Sequence, residues 1–296
     1  MSSASELPLS DPFQQVYSEK YSIPISTHLA LDIYSNTKPH NLKIANLQKG
    51  LICVCDGKER IGEGAGFGFP VMVCPEETYF PSSAIVSLSK TSTATKVRKE
   101  FIMDRIARNK FGGVRLENQQ TRAIIRYLCR LYQENTHLRF PFLMFKRFMV
   151  NIGVDTGFEE TKPVGRVIVT YEIYGNAVRV QVNLSQIEVK CRKKIFILNE
   201  QSADFFRKYY DSRGTALVDK EIGAWDNVNA EWACFTDAQG QVGFRLWQVK
   251  GAVLRRGRET LHDCLDWVGL DYEVNVNRDF FEYDIELFGA KPKWLR

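Results

Sequence analysis

The sequence lacks a hydrophobic run long enough to cross a membrane as a helix. The longest dense apolar stretch, Phe140 to Ile152, carries Lys146 and Arg147 and is shorter than the roughly 17 to 25 residues that a membrane-spanning helix needs. The first residues, Met1 to Asp11, also lack the basic start and the apolar core of a secretory signal. We therefore expect a soluble, cytoplasmic protein without a membrane partner.

A strong excess of one charge sign is absent as well. The 40 basic and 35 acidic residues give a formal net charge of +5, which is too small to require a polyanionic partner. Nucleic acid binding is thus neither predicted nor excluded by composition. With 44% hydrophobic residues the chain can bury a core, but the sequence does not predict its oligomeric state.

The spacings that typify metal centres and nucleophilic catalysis are missing. Cys53 and Cys55 alternate within an apolar run, which predicts reduced thiols in a core strand. They do not form a CxxC pair, and no second pair stands at zinc-finger spacing. The histidines show neither HxxxH nor HxH spacing: His28, His40, His137 and His262. We therefore predict no metal and no cofactor, and the sequence identifies no catalytic group.

The sequence is rich instead in alternation of apolar and polar residues with a period of two. Two alternating runs between Arg166 and Leu184 flank Gly175-Asn176, which predicts a β-hairpin with a two-residue turn. In that register Glu172 faces Arg179 on the polar side of the hairpin. Similar patterns predict strands or strand pairs over 50–73, 79–88, 96–108, 187–198, 230–236, 242–249 and 281–287.

Other segments break this alternation. Four prolines among the first forty residues predict an irregular lead-in or an edge strand over 1–41, followed by a single large β domain over 42–296. An apolar stripe at helical spacing and the dense apolar stretch predict a short helical insertion over 118–152, and 201–210 is predicted to form a further short helix. The predicted class is mainly β, a large antiparallel β-sandwich. An α+β protein with two domains, divided near 153–164, is the alternative.

Glycine occupies every second position from Gly62 to Gly68. The run does not spell GxGxxG and lacks the Lys-Ser/Thr of a phosphate loop, and an apolar strand follows where such loops require a helix. A nucleotide site is therefore not predicted. Glycines in a strand allow another group to approach the backbone closely, and this group is either the protein's own core or a ligand.

Two groups of side chains are candidates for ligand binding. The polar side of the predicted hairpin carries Thr170, Glu172, Arg179, Gln181 and Asn183, which can hydrogen-bond to hydroxyl groups from several directions. A four-residue loop in the later hairpin would place Trp232 across from Arg245, with Trp247 on the same face. The alternative for the first group is a solvated sheet surface that binds no ligand. The alternative for the second group is that the tryptophans are core residues. The predicted ligand-binding residues are Glu172, Arg179, Gln181, Trp232, Arg245 and Trp247.

The long antiparallel pattern between Leu42 and Leu287, with hairpins such as Val164 to Leu184, resembles the galactose-mutarotase-like β-supersandwich proteins. The resemblance implies a carbohydrate-related protein that binds or acts on a sugar on a polar sheet face. Epimerases of that family use paired histidines and a glutamate, a set with no counterpart in this sequence, so catalysis stays open.

The alternative function is that of a non-enzymatic interaction protein. Arg122, Arg126 and Arg130 share one face of the first predicted helix, and the second, around Phe142 to Met149, is apolar on nearly every side. Such helices can bind a polyanion or a protein partner.

Overall fold

The computed structural model describes residues 14–15, 20–34, 48–62, 64–74, 77–111, 114–115, 154–188, 192–260, 266–275 and 277–289. Within these ranges the chain is almost entirely antiparallel β-structure, and the one helix is a short 3-10 turn at Asp219–Ile222. The predicted mainly β class is confirmed. The predicted helical insertion over 118–152 lies outside the described residues.

The strands are numbered in chain order. They are β1 Gln14–Gln15, β2 Lys20–Pro24, β3 Leu29–Tyr34, β4 Ile52–Cys55, β5 Lys58–Glu59, β6 Gly66–Val73, β7 Thr78–Lys90, β8 Thr95–Phe111, β9 Val114–Arg115, β10 Val154–Glu160, β11 Arg166–Tyr174, β12 Ala177–Asn183, β13 Lys194–Ser202, β14 Lys208–Asp211, β15 Ala216–Val218, β16 Asp226–Asn227, β17 Trp232–Thr236, β18 Gly243–Trp247, β19 Ala252–Thr260, β20 Asp266–Val274 and β21 Phe280–Phe288.

Strands β2 to β5 form a small meander, and the other strands form one large sheet. The main path of that sheet runs β15-β14-β17-β18-β21-β12-β11-β8-β7-β6-β13-β20-β19-β16, and every pairing along it is antiparallel. β9 and β10 pair with the long strand β8, and β1 pairs with β7.

The large sheet folds back on itself into a sandwich. The first layer contains β15, β14, β17, β18, β21, β12 and β11, the second contains β6, β13, β20, β19 and β16, and β8 and β7 join them. Rings from the two layers meet in the core: the centroids of Phe67 and Phe244 are 5.1 Å apart, and those of Tyr272 and Tyr283 are 4.7 Å apart. Edge-on packing of this kind is typical of aromatic cores.

Three buried tyrosine hydroxyls link the layers. Tyr171 of the first layer donates to the carbonyl of Phe67 at 2.8 Å, and Tyr283 donates to Asn199 Oδ1 at 2.7 Å. Tyr272 of the second layer donates to the carbonyl of Trp247 at 2.6 Å. Burial raises the pKa of each of these tyrosines, so the hydroxyls keep the protons that they donate.

The glycine run is packed against the protein's own core. Gly68, with φ of +76°, is an extra residue in β6 where the pairing with β13 shifts register between Leu198 and Asn199. A Cβ at Gly68 would lie 2.7 Å from the hydroxyl oxygen of Tyr171. At Gly64 and Gly66 a Cβ would lie 2.9 Å from neighbouring backbone atoms. The close-packing interpretation of this run is therefore confirmed.

Strand β8 confirms the strand predicted over 96–108 and shows why its pattern was ambiguous. Val97, Lys99, Phe101 and Met103 all point into the core, so a lysine occupies a position where alternation requires an apolar residue. The Lys99 ammonium donates to the carbonyls of Lys49 at 2.6 Å and Tyr34 at 3.1 Å. Burial lowers its pKa from 10.5 to about 7.

One local prediction is wrong: the helix predicted over 201–210 is the end of β13, a turn and β14. Phe206 N donates to the carbonyl of Ser202 at 2.9 Å, which closes one helical turn that does not continue. The described part of the lead-in over 1–41, predicted as irregular or as an edge strand, contains β1, β2 and β3. Pro24 ends β2 at the edge of the small sheet, where a missing N–H costs no ladder hydrogen bond.

We predict that Gly68→Ala destabilises the fold by about 2 to 4 kcal/mol, because an alanine adds strain at positive φ and overpacks the Tyr171 ring. Gly175→Ala is the matched control, since Gly175 has φ of +58° and open space around its Cβ position; its cost should be about 1 kcal/mol. Urea unfolding of both variants measures the difference. Equal losses would show that the contact with Tyr171 contributes nothing.

We also predict a pH dependence that originates at Lys99. Its pKa is about 7 in the folded state and 10.5 as the ordinary value, so the unfolded chain binds the proton more tightly and stability rises with pH between these values. Relative to Lys99→Met, the wild type should gain up to about 1.4 kcal/mol per pH unit in this window. Urea unfolding at pH 7 and pH 9 tests this, with Lys96→Met as the control. Parallel pH profiles for wild type and Lys99→Met would contradict it.

Candidate functional site

The outward side of the first layer and the adjoining part of β8 form a broad polar surface, the outer polar face. It arises from strict alternation. In β12, Val178, Val180 and Val182 are buried, whereas Arg179 and Gln181 point outwards. The register predicted for the hairpin is confirmed, with Glu172 opposite Arg179. Because all six predicted ligand-binding residues point outwards from this layer, the structure places them on one surface.

A row of ion pairs crosses the middle of the outer polar face. Lys96 Nζ lies 3.3 Å from Glu172 Oε1, and Arg179 Nε donates to Asp284 Oδ1 at 3.2 Å. The hydrogen bond from Arg179 to Asp284 raises the pKa of the Arg179 guanidinium. Glu172 and Arg179 thus each have a partner on a further strand. This part of the face presents charges that are already neutralised.

The tryptophan and arginine side chains of the later hairpin form a closed stack. Arg245 Cζ lies 5.2 Å from the ring centroid of Trp232 and 4.9 Å from that of Trp247, and Arg245 Nε donates to Glu286 Oε2 at 2.7 Å. The guanidinium therefore lies over the indole rings, and the Arg245 side chain is only 15% exposed.

The register predicted for this hairpin is wrong by two residues. Trp232 pairs with Trp247, and Arg245 pairs with Cys234. The loop is longer than the four residues predicted, because the ladder ends at Thr236 and Gly243 and Asp237 N donates to the carbonyl of Val242 at 2.8 Å. The three side chains still share one face, since a shift of two preserves the side of the sheet.

At one end of the outer polar face lies a surface depression of about 600 Å³. Its polar lining includes Thr170, Gln181 and Asn183, and Phe280 lines it with 67% of its surface exposed. Gln181 Nε2 also donates to Glu282 Oε2 at 2.6 Å. Of the six predicted ligand-binding residues, only Gln181 lines this depression.

Most residues of the depression had no place among the sequence candidates, and Lys250, Arg278 and Phe280 are three of them. Lys250 and Arg278 belong to loops, whose folded positions cannot be predicted from periodicity. Phe280 did carry a signal, since it continues the outward positions of Glu282, Asp284 and Glu286 by one step of two. A single outward aromatic residue is normal on a protein surface, so this position alone did not identify a ligand site.

A second polar cluster lies on the outward side of the second layer. Glu200 accepts a hydrogen bond from Ala65 N at 3.0 Å, Asp271 from Asn199 N at 2.9 Å, and Glu259 from Trp225 Nε1 at 2.5 Å. Burial raises the pKa of Glu200 to about 8 and that of Asp271 well above its ordinary value. These carboxyl groups are buried and each has a donor, so their arrangement fits internal structure.

The described residues contain neither a cluster of metal ligands nor an activated thiol. No group of three or more histidine, cysteine or acidic side chains in the described ranges can hold a metal. Cys53 and Cys55 are buried and free, as the alternation predicted, and burial raises the pKa of Cys53 to about 12. That thiol is therefore protonated at neutral pH and is a poor nucleophile. In the same ranges no helix has the length and apolar character to cross a bilayer.

Comparison with known proteins gives no family. No protein family matches the chain, and no curated protein matches it. One similar solved structure is that of the Slr1438 protein from Synechocystis sp. PCC 6803, determined by the Northeast Structural Genomics Consortium. It is 9% identical, with a TM-score of 0.40, over 98% of this chain and 100% of that chain. A likeness this distant supports no functional argument, and the resemblance to the galactose-mutarotase-like proteins stays a prediction.

We predict that Arg245→Lys destabilises the protein by about 1 to 2 kcal/mol and shifts tryptophan emission, because an ammonium cannot keep a planar stack on two indoles. Arg166→Lys is the matched control on the same face, where Arg166 is 48% exposed and lies 3.3 Å from Glu100. Its cost should be within about 0.5 kcal/mol. Urea unfolding followed by fluorescence measures both, and indistinguishable midpoints would refute the role of the stack.

Proposed function

We propose that this protein binds a saccharide in the depression at the end of the outer polar face. The observation that carries the proposal is the combination, within about 600 Å³, of amide and hydroxyl groups with the exposed ring of Phe280. The volume lies within the range of small-molecule sites. Sugars present hydroxyl groups at their edges and C–H groups on their faces, and they need both kinds of partner.

The polar lining suits hydroxyl groups. Thr170 offers a hydroxyl that both donates and accepts, and Asn183 offers an amide with two donors and one carbonyl acceptor. Gln181 uses one amide hydrogen on Glu282, which leaves its carbonyl oxygen for a ligand and fixes the orientation of the amide. The glutamine is therefore held in position before a ligand arrives.

The middle of the outer polar face is a poorer site. A ligand there would have to displace ion pairs such as Lys96 with Glu172 and Arg179 with Asp284. The rings of Trp232 and Trp247, which the sequence suggested as sugar platforms, are both in contact with Arg245. The depression requires no such exchange, and this supports binding at the end of the face.

Binding without hydrolysis fits the depression better than a glycosidase reaction. Most glycosidases use a pair of carboxyl groups on either side of the scissile bond. Among the described residues that line the depression, Glu282 is the one carboxylate, and it is occupied by Gln181. The alternative function, through helices predicted over 118–152, lies outside the described residues and stays a prediction.

Calorimetric titration with a panel of mono- and oligosaccharides tests the proposal. We expect binding at millimolar concentration or below, and a loss of about tenfold in affinity for Phe280→Ala and for Gln181→Ala, because each variant removes about 1 to 1.5 kcal/mol of contact. Tyr174→Ala is the matched control, since Tyr174 is also exposed but does not line the depression. No detectable binding of any sugar in the panel, or equal affinity in wild type and Phe280→Ala, would overturn the proposal.

A further inference from the structure

The depression carries more positive than negative charge. Among the described residues, three cationic side chains line it, those of Arg98, Lys250 and Arg278, together with one carboxylate, that of Glu282. That carboxylate accepts a hydrogen bond from Gln181 at 2.6 Å and lies 3.8 Å from Arg179. Its charge is therefore directed toward its neighbours in the sheet.

Several cations elsewhere on the outer polar face have acidic partners. Lys96, Arg166, Arg179 and Arg245 each have a carboxylate oxygen within 4.0 Å. Arg98 also has one, since its Nη2 lies 3.1 Å from Glu100. Around the depression the pattern changes: within the part of the chain that the structure describes, Lys250 and Arg278 make no ion pair with a carboxylate.

The two unpaired cations come from loops that are tied together. Asn275 N donates to the carbonyl of Gly251 at 3.0 Å, and Arg278 N donates to the carbonyl of Asn275 at 3.2 Å. The Arg278 guanidinium packs so closely over Gly251 that a Cβ there would lie 2.6 Å from its Cζ. Arg278 is thus held beside the residue that follows Lys250. Both cations line the same depression, so an anion bound there would meet two positive charges.

From this arrangement we infer that the ligand is an anionic saccharide, whose carboxylate, sulfate or phosphate group binds to Lys250 and Arg278. The inference rests on the proposed function and adds the class of sugar. The sugar ring would lie against Phe280 and Gln181, and the anionic group would point toward the loops. A guanidinium is well suited to such a group, because its N–H donors match two oxygens at once.

Matched ligands separate the charge from the ring. Calorimetry is run with glucose and galactose, with their uronates and 6-phosphates, and with inorganic phosphate. We expect at least one anionic sugar to bind tenfold or more tighter than its neutral parent, and this advantage should shrink as salt is raised. Lys250→Gln and Arg278→Gln should each reduce affinity for the anionic sugar about fivefold or more, and should reduce affinity for the neutral sugar by a smaller factor. Lys58→Gln, at an exposed lysine of the small sheet, should change neither the affinity for the anionic sugar nor that for the neutral sugar.

The outcomes distinguish the two proposals. Equal affinity for neutral and anionic sugars, unaffected by Lys250→Gln, would overturn the anionic class and leave saccharide binding standing. Inorganic phosphate binding as tightly as the sugar phosphates would support the anion contact and overturn the saccharide. If the wild-type protein binds none of these ligands, both proposals are overturned. Urea unfolding shows whether each variant is folded like the wild type.

Discussion

The outer polar face depends on the three tyrosine hydroxyls that join the layers from inside. A buried hydroxyl without a partner is costly, so each of these tyrosines is restricted to the position where its acceptor lies. Tyr171 and Tyr283 point inwards to acceptors on β6 and β13, and strand alternation then turns Glu172, Glu282 and Asp284 outwards. The same constraint accounts for Gly68, whose backbone N–H donates to Asn199 Oδ1 at 3.1 Å beneath the Tyr171 ring. The interior thus determines which side chains a ligand can meet.

Where a short turn fixes the register, the sequence was enough to predict the structure. Gly175-Asn176 allows few alternatives, so the pairing of Glu172 with Arg179 could be predicted residue by residue. The hairpin of Trp232 and Trp247 has a longer loop, and its register depends on where Asp237 ends the ladder. Here only the face could be predicted. The depression could not be, because Lys250 and Arg278 are placed by hydrogen bonds between loops that are distant in sequence.

Buried polar groups are the other reason why sequence patterns fail in this chain. Lys99 breaks the apolar alternation of β8, yet its ammonium donates hydrogen bonds to two backbone carbonyls. Asn199 does the same in β13, where it receives hydrogen bonds from Gly68 and Tyr283 and donates to the carbonyl of Leu270. Each is satisfied by partners far away in sequence, so no local rule identifies it as a core residue. Periodicity detects the strands and misses the groups that orient them.

On the outer polar face, charged side chains in the middle pair with one another, whereas cations at one end are available to a ligand. In the middle, strands lie side by side, and an outward cation can reach a carboxylate on a neighbouring strand, as Arg179 reaches Asp284. At the end the strands give way to loops, which carry Lys250 and Arg278. Among the described residues, no carboxylate forms an ion pair with either of them. An anion from outside the chain is the group that would complete the pattern, and the adjoining ring of Phe280 limits which molecules can bring it.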